Sequence, residues 1–498
     1  MTQDLVELRH VGKSFAGVRA LDDVSLTIRT GEIHCLAGEN GSGKSTLIKL
    51  MAGVYAPDQG EIRFAGERVD KITPQDSVRR GVQVIYQDFS LFGNLTVAEN
   101  LALNTLLAEG RRAVSWRRVR GLAREALARI RIDIDLDAEV DALPTAQKQL
   151  VAIARALAAD ARLIIMDEPT TALTGKEIAT LFEIVRDIQG RGIAVLFVSH
   201  KIGEMLAISE RITVIRNGRK VAESPTSALS ESAIVRHMTG RDIAAERYSP
   251  ELPRGAVPRL ELRDVALAGR LDRINLRLDA GEIVGVSGLL GSGRTDLARL
   301  LFGLEPRYGG SVLVDGREVR LSGVAEAIGR GIAYVPEDRL TEGLFLSQSI
   351  KRNIMASILD RLSGHIFLNE SRAARAAAAT IADMQITAKD VERPVGQLSG
   401  GNQQRVMIGR WLHTEPRILV LNGPTVGVDV GSKAEIHRRI REIVVSRGLA
   451  VLMISDDLPE LLHNCNRILM MHRGRIVDEI AAGAASEESL SAKLKELR

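Results

Sequence analysis

The sequence predicts a two-domain α/β protein in which each domain is built on a largely parallel β-sheet covered by helices. Three observations predict it: a length of 498 residues, an internal duplication, and an alternation of apolar strand-like runs with helical stretches inside each copy. A single hydrophobic core stops growing at a few hundred residues, so a chain of this length divides.

The duplication is read directly from the residues. Gly31-Glu32-Ile33 recurs as Gly281-Glu282-Ile283, Gly38 to Ser45 as Gly288 to Thr295, and Gln87-Asp88 as Glu337-Asp338, all at a shift of 250 residues. Leu143 then matches Leu398 and Asp167 matches Asn422 at a shift of 255, so the second copy has gained about five residues in between. An insertion of that size in a loop costs little, and both copies keep one fold. Domains are expected at 1–245 and 258–498. The stretch 246–257 between them contains prolines and shows no helical or strand period, which reads as a short, stiff linker.

Within the copies, Leu163-Ile164-Ile165-Met166 and Ala194-Val195-Leu196-Phe197-Val198 are continuous apolar runs, as strands covered on both faces require. Arg117 to Arg131 reads as an amphipathic helix, with Leu122, Ala126 and Ile130 four apart and arginines on the other face; it is assigned to a helical subdomain. Apolar residues at 45% and charged residues at 26% are the mixture of a folded chain. A net charge of +4 over this length gives no electrostatic reason to expect nucleic acid as a partner. Cys35 and Cys465 lie in different halves without CxxC or Cys/His spacing, which suggests neither a disulfide framework nor a zinc site and fits a reducing compartment. No apolar run reaches bilayer length, and residues 1–10 lack the regions of a signal peptide, so a cytosolic chain is expected.

Gly38-Glu39-Asn40-Gly41-Ser42-Gly43-Lys44-Ser45 is a complete P-loop, placed after the apolar stretch Ile33 to Ala37 and before the helical stretch Thr46 to Met51. Its glycines let backbone N–H groups and the positive end of the following helix face phosphate oxygens. Lys44 is expected to reach the β- and γ-phosphates, Ser45 to ligate Mg²⁺, and Thr46 to border the same phosphates. Asp167 and Glu168 follow an apolar strand, at the carboxyl end where ligands bind in open α/β sheets. Asp167 is expected to hold Mg²⁺ through water, and the adjacent Glu168 to act as the base that polarises the attacking water. Gln87 and His200 each follow an apolar strand, with the chemistry to sense γ-phosphate, water or metal; as parts of one ordered set they are placed in the same site.

The order of P-loop, Gln-loop, Leu-Ser-Gly-Gly signature, Asp-Glu-Pro-Thr strand and Ser-His pair resembles that of the ATP-binding-cassette ATPases over nearly the whole chain. The signature stands intact in the second copy as Leu398-Ser399-Gly400-Gly401-Asn402-Gln403-Gln404-Arg405. Ser14 to Leu21, Gly288 to Thr295 and Gly427-Val428-Asp429-Val430-Gly431 are similar to the twin-cassette subunits of bacterial monosaccharide importers. The resemblance implies two tandem P-loop ATPase domains, each with a RecA-like α/β core, an antiparallel β subdomain and a helical signature subdomain. It implies ATP and Mg²⁺ as ligands, with Phe15 stacking on adenine; an ordinary core phenylalanine is the competing reading there. Head-to-tail pairing of cassettes implies that Ser399, Gly400 and Gly401 complete the site of Gly38 to Ser45. The pair forms either within one chain or between two copies of it.

The other site departs from the pattern. The first copy's signature reads Leu143-Pro144-Thr145-Ala146-Gln147, in which Pro144 lacks a hydroxyl and a backbone donor and Ala146 adds a Cβ. Arg294 replaces the P-loop lysine, Glu337 the glutamine, Asn422 the metal-binding aspartate, Gly423 the catalytic glutamate and Asp456 the histidine. That site is expected not to hydrolyse ATP. The resemblance further implies transmembrane permease subunits as partners, a periplasmic solute-binding protein acting through them, and peripheral attachment at the cytoplasmic face of a bacterial inner membrane. The segment Asp88 to Thr96 would receive the permease. Twin-cassette proteins acting on ribosomes share the first site's motifs but carry a long charged helical linker, unlike 246–257. Importers of non-sugar solutes stay open, since the permease and binding protein select the substrate.

Overall fold

The computed structural model describes residues 3–15, 17–69, 72–109, 114–170, 173, 175–240, 247–248, 257–289, 291–362, 369–388 and 390–497. The chain forms two compact units, Met1–Ile243 and Ala244–Arg498. Of the expected linker, Arg247, Tyr248 and Val257 are described and the rest lies outside the described residues. Tyr248 packs on the second unit, its N–H donating to His463 O and its hydroxyl to Gly281 O, both at 2.9 Å.

Among the described residues the first unit carries two sheets. The larger has six strands in the order Arg219–Pro225, Arg211–Arg216, Ile33–Ala37, Ala194–Ser199, Leu163–Asp167 and Val82–Ile85. Its pairs are parallel except for the hairpin formed by the first two. Alternate residues of each central strand serve two different cores, as the period of two dictates. Leu196, Val198, Leu163 and Ile165 pack with Leu8, Leu26 and Leu47 on one face. Val195, Phe197, Ile164 and Met166 pack with Val185, Ile188 and Val151 on the other. That double burial explains why these strands read as uninterrupted apolar runs.

The smaller sheet is antiparallel, in the order Val18–Arg29, Asp4–Phe15, Gln59–Phe64, Glu67–Val69. A helical subdomain is made by Val97–Glu109, Trp116–Arg129 and Thr145–Ala158. The predicted helix over 117–131 is observed as Trp116–Arg129; it buries Val119, Ala123, Ala126 and Leu127, and Ile130 just past its end is buried too. Leu122 is partly buried and packs against the same core.

The second unit repeats the design. Its six-stranded sheet runs Arg475–Ala481, Arg467–His472, Ile283–Gly288, Ala450–Ile454, Ile418–Asn422 and Ile332–Val335, the same spatial order with the same parallel core. Its antiparallel sheet contains Leu271–Leu278, Leu260–Leu267, Gly309–Val314 and Arg317–Val319. Cys35 and Cys465 are buried free thiols in separate units.

Candidate functional site

The first phosphate cradle follows from the strand Ile33–Ala37, whose five residues are all buried, running into the helix Lys44–Met51. The loop between them is pressed against its neighbours so closely that side chains are excluded. A Cβ on Gly43, where φ is 110°, would come within 2.8 Å of Ala20 O and of the Leu21 side chain, and one on Gly38 would strike Ile215 O. The helix begins with Gly43, which offers no side-chain cap, and its first turn holds no acid. Its leading N–H groups and positive end therefore have no anion of their own. Lys44 is buried and its Nζ donates to Gly38 O at 2.7 Å and Glu39 O at 2.9 Å, which curls its charge along the loop. Ser42 Oγ is buried without a hydrogen-bond partner, while Ser45, Asn40 and Gly41 are exposed and Glu39 and Thr46 half-buried.

Asp167 ends the strand Leu163–Asp167, and the next residue turns sharply. Glu168 adopts φ 49°, a conformation costly for a residue with a side chain, held by its N–H donating to Val198 O at 2.9 Å. The turn aims its carboxylate at His200, whose Nδ1 lies 2.9 Å from Glu168 Oε1. That hydrogen bond holds the Glu168 carboxyl below the ordinary carboxylate range, outweighing burial. Asp167 is shifted the other way: burial raises it, and the Glu168 charge adds to the effect. Two adjacent carboxylates are thus pushed apart, with Glu168 the one that stays ionised most readily. Gln87 lines the same cleft as Asp167 and Glu168.

Several residues of this region were not singled out by sequence reasoning. Glu204 locks the turn from behind, accepting from Thr170 Oγ1 at 2.6 Å and Ser199 Oγ at 3.1 Å and pairing with Lys201 at 3.1 Å. The duplication carried the signal, since Thr425, Ser455 and Glu460 repeat the trio. Gln149 is 1% exposed, faces the cleft of Gln87 and Glu168, and finds no hydrogen-bond partner for either amide atom among the described residues. Phe15 is 38% exposed, so the core reading does not apply, and its ring stands 5.0 Å from that of Tyr55 with Lys13 Nζ 5.5 Å above it. Lys49 of the P-loop helix lies 5.5 Å over Tyr55, which ties this aromatic pair to the cradle. Ala16 lies outside the described residues.

In the second unit, Ser399 is the residue before the helix Gly400–Leu412, and its Oγ accepts from Asn402 at 2.9 Å. Arg339 lies across this turn, donating to Val426 O at 2.7 Å, Gly427 O at 3.3 Å and Gln403 Oε1 at 3.3 Å. A Cβ on Gly400 would meet Arg339 Nη2 at 3.0 Å, and one on Gly401 would meet Ser432 Cβ at 2.5 Å. The first unit has Phe89 at the place of Arg339.

The second P-loop keeps the cradle, with Gly293 at φ 99° and its Cβ position 3.0 Å from Arg270 O; Leu290 lies outside the described residues. Gly423 takes the turn that Glu168 takes, at φ 61° with its N–H on Ile454 O at 2.9 Å, so the backbone survives where the carboxylate is gone. Behind it, Glu460 is buried with Thr425 Oγ1 at 2.5 Å, Ser455 Oγ and His437 Nε2 at 2.9 Å. Burial alone would raise this carboxyl, but His437, Lys433 and Ser455 together lower it to about 2. Its stabilisation is therefore complete above the ordinary carboxylate value of 4.5 and is lost as pH falls from there toward about 2. Glu460→Gln should remove about 3 kcal/mol from the second unit and abolish that acid dependence, by stranding His437 beside a neutral amide. Calorimetry of the full chain reads it: equal losses in both units' transitions would contradict the assignment.

Among the described residues no cluster of three or more His, Cys, Asp or Glu side chains is built to hold a metal by itself, and no helix is long and apolar enough to cross a membrane.

The ABC transporter family model matches residues 21–171 and again 271–426. The ribose import ATP-binding protein of Rhodococcus jostii is 41% identical over 486 residues, covering 98% of this chain and 96% of that protein. A ribose import ATP-binding protein of Rubrobacter xylanophilus is 43% identical, covering 98% of each chain. A putative ribose/galactose/methyl galactoside import ATP-binding protein of Burkholderia cenocepacia is 40% identical over 96% of this chain and 91% of that protein.

Proposed function

Because the chain belongs to the ABC transporter family, we propose that its ATP hydrolysis powers the import of a monosaccharide or related small polyol, with the site of Gly38 to Ser45 doing the chemistry. The observation that carries the catalytic reading is the pairing of Glu168 with His200 at 2.9 Å beside a complete phosphate cradle. The sugar follows from relatives named for ribose and galactose import that match over almost their whole length.

The cradle from Gly38 to Thr46 binds the triphosphate, Lys44 leaving the loop carbonyls for the β- and γ-phosphates, and the exposed Phe15 offers a face for adenine. Glu168 accepts a proton from a water whose oxygen attacks the γ-phosphorus. The bond to the β–γ bridging oxygen breaks, and ADP and phosphate leave. His200 holds the Glu168 carboxylate in position and ionised, and Gln87 reports on the γ-phosphate side of the cleft. Ser45, Gln87 and Asp167 offer the hard oxygen donors that suit Mg²⁺, which when bound neutralises phosphate charge; two or three protein donors are enough when a nucleotide supplies the rest. A signature of the type Ser399-Gly400-Gly401 closes the site from a paired cassette.

The partners are permease subunits that span the membrane, contacted through Asp88 to Thr96, with the chain held peripherally at the cytoplasmic face and a periplasmic binding protein delivering solute. Reconstitution with permease subunits of a sugar importer tests the whole reading. ATP turnover should rise when a pentose- or hexose-loaded binding protein is added. Co-sedimentation with ribosomes, and turnover indifferent to permease and sugar, would overturn it.

A further inference from the structure

We propose that the P-loop of the second unit takes no ATP, so that the chain binds a single nucleotide, at Gly38 to Ser45. The lack of a carboxylate at Gly423, the counterpart of Glu168, explains only an absence of hydrolysis, and a preserved backbone cradle is compatible with tight binding. The side chains around that cradle decide the matter, because the unit already fills each subsite with groups of its own.

Among the described residues the base has no counterpart of the Phe15–Tyr55 platform. In the first unit the hairpin strands Asp4–Phe15 and Val18–Arg29 are twelve residues each and carry Phe15 to Tyr55. In the second they are eight residues each, Leu260–Leu267 and Leu271–Leu278. Leu21 and Leu271 each abut their own P-loop glycine, which fixes the alignment at 250 and sets Glu305 in the place of Tyr55. The shortened tip presents Arg270, which binds Glu305 at 2.8 and 2.7 Å and Asp296 at 2.9 Å. An ion-pair cluster stands where the first unit has two rings.

The phosphate subsite is answered internally too. Asp296 occupies the first turn of the helix Arg294–Leu301, giving its positive end a carboxylate that Lys44–Met51 lacks. Arg294 is 8% exposed and reaches away from the loop to Asp456 Oδ1 at 2.5 Å and Ser455 O at 3.4 Å, whereas Lys44 stays on the loop. A buried guanidinium needs a counter-charge, and with Asn422 and Gly423 neutral the carboxylate of Asp456 supplies it. Asn422 itself is buried. Glu337 lies against Gly423, where a Cβ would meet its Cγ at 3.0 Å.

The carboxylates are relocated: Asp167 and Glu168 give way to Asn422 and Gly423, while acids appear at other positions around the second cradle. Three positions that surround the first cradle, Thr46, Gln87 and His200, carry no negative charge, and their counterparts Asp296, Glu337 and Asp456 are all acidic. A polyanion entering the second cradle would have to displace Asp456 from Arg294, meet the carboxylates of Asp296 and Glu337, and find among the described residues no counterpart of the Phe15–Tyr55 rings.

Equilibrium dialysis of the full chain against Mg²⁺ and ATP labelled on its α-phosphate should give one bound nucleotide per chain. Lys44→Ala should lower this to none at concentrations that saturate the wild type, and Arg294→Ala should leave it at one, with circular dichroism confirming that both variants fold. Two nucleotides in the wild type, or one in Lys44→Ala that disappears on adding Arg294→Ala, overturns the inference and leaves the ATPase reading standing. No nucleotide in the wild type overturns both. Photolabelling of the unaltered chain with 8-azido-ATP gives an independent readout: label on the peptides containing Arg270 or Glu305, where the base would lie, is the contrary result.

Discussion

Glu168→Gln should lower steady-state ATP turnover of the assembled transporter by about two orders of magnitude or more while leaving ATP bound, the scale typical of losing a general base. The amide keeps the side chain's size and can still accept from His200 Nδ1, so the turn at φ 49° and its bond to Val198 survive. What it loses is the ability to take a proton. The effect is large because no second carboxylate is placed to substitute: Asp167 is raised by burial and by its neighbour, and the equivalent position of the other unit is Gly423. Turnover at half the wild-type rate, with nucleotide binding unchanged, would assign the base elsewhere.

Gly401→Ala should reduce turnover at least about tenfold without weakening nucleotide binding at Gly38 to Ser45, the factor that about 1.4 kcal/mol of lost transition-state stabilisation gives. The new methyl group would lie 2.5 Å from Ser432 Cβ, and Gly401 is buried in the first turn of its helix, so the signature backbone must shift. Fluorescent-nucleotide titration separates binding from turnover. Adding Ser432→Gly removes the obstructing side chain and should restore most of the rate, which a general loss of folding would not allow. If Gly401→Ala hydrolysed ATP like the wild type, the intact signature would have no part in the reaction.

The residues legible in sequence were those whose chemistry sits on one continuous strand–loop–helix segment. Gly38 to Ser45 needs only the strand before it and the helix after it to become an anion cradle. Asp167 and Glu168 need only the strand they end, and the duplication needs only counting. From these the sequence by itself determined the α/β class, two copies of one design, and a second copy that had lost its carboxylates.

The tertiary structure decided what those residues touch, because the sheet does not follow chain order. The strand Ile33–Ala37 lies between Ala194–Ser199 and Arg211–Arg216, and Leu163–Asp167 between Ala194–Ser199 and Val82–Ile85. Only that crossover arrangement brings His200 to Glu168, Glu204 to Thr170, Arg339 over Gly400 and Asp456 to Arg294, since segments far apart in sequence share the carboxyl edge of one sheet. Local backbone demand was equally hidden: the turn after the fifth strand residue requires φ near 50–60° whether Glu168 or Gly423 occupies it. The first unit holds a carboxylate in that strained turn, and the second relaxes the turn with glycine, which adopts it at little cost.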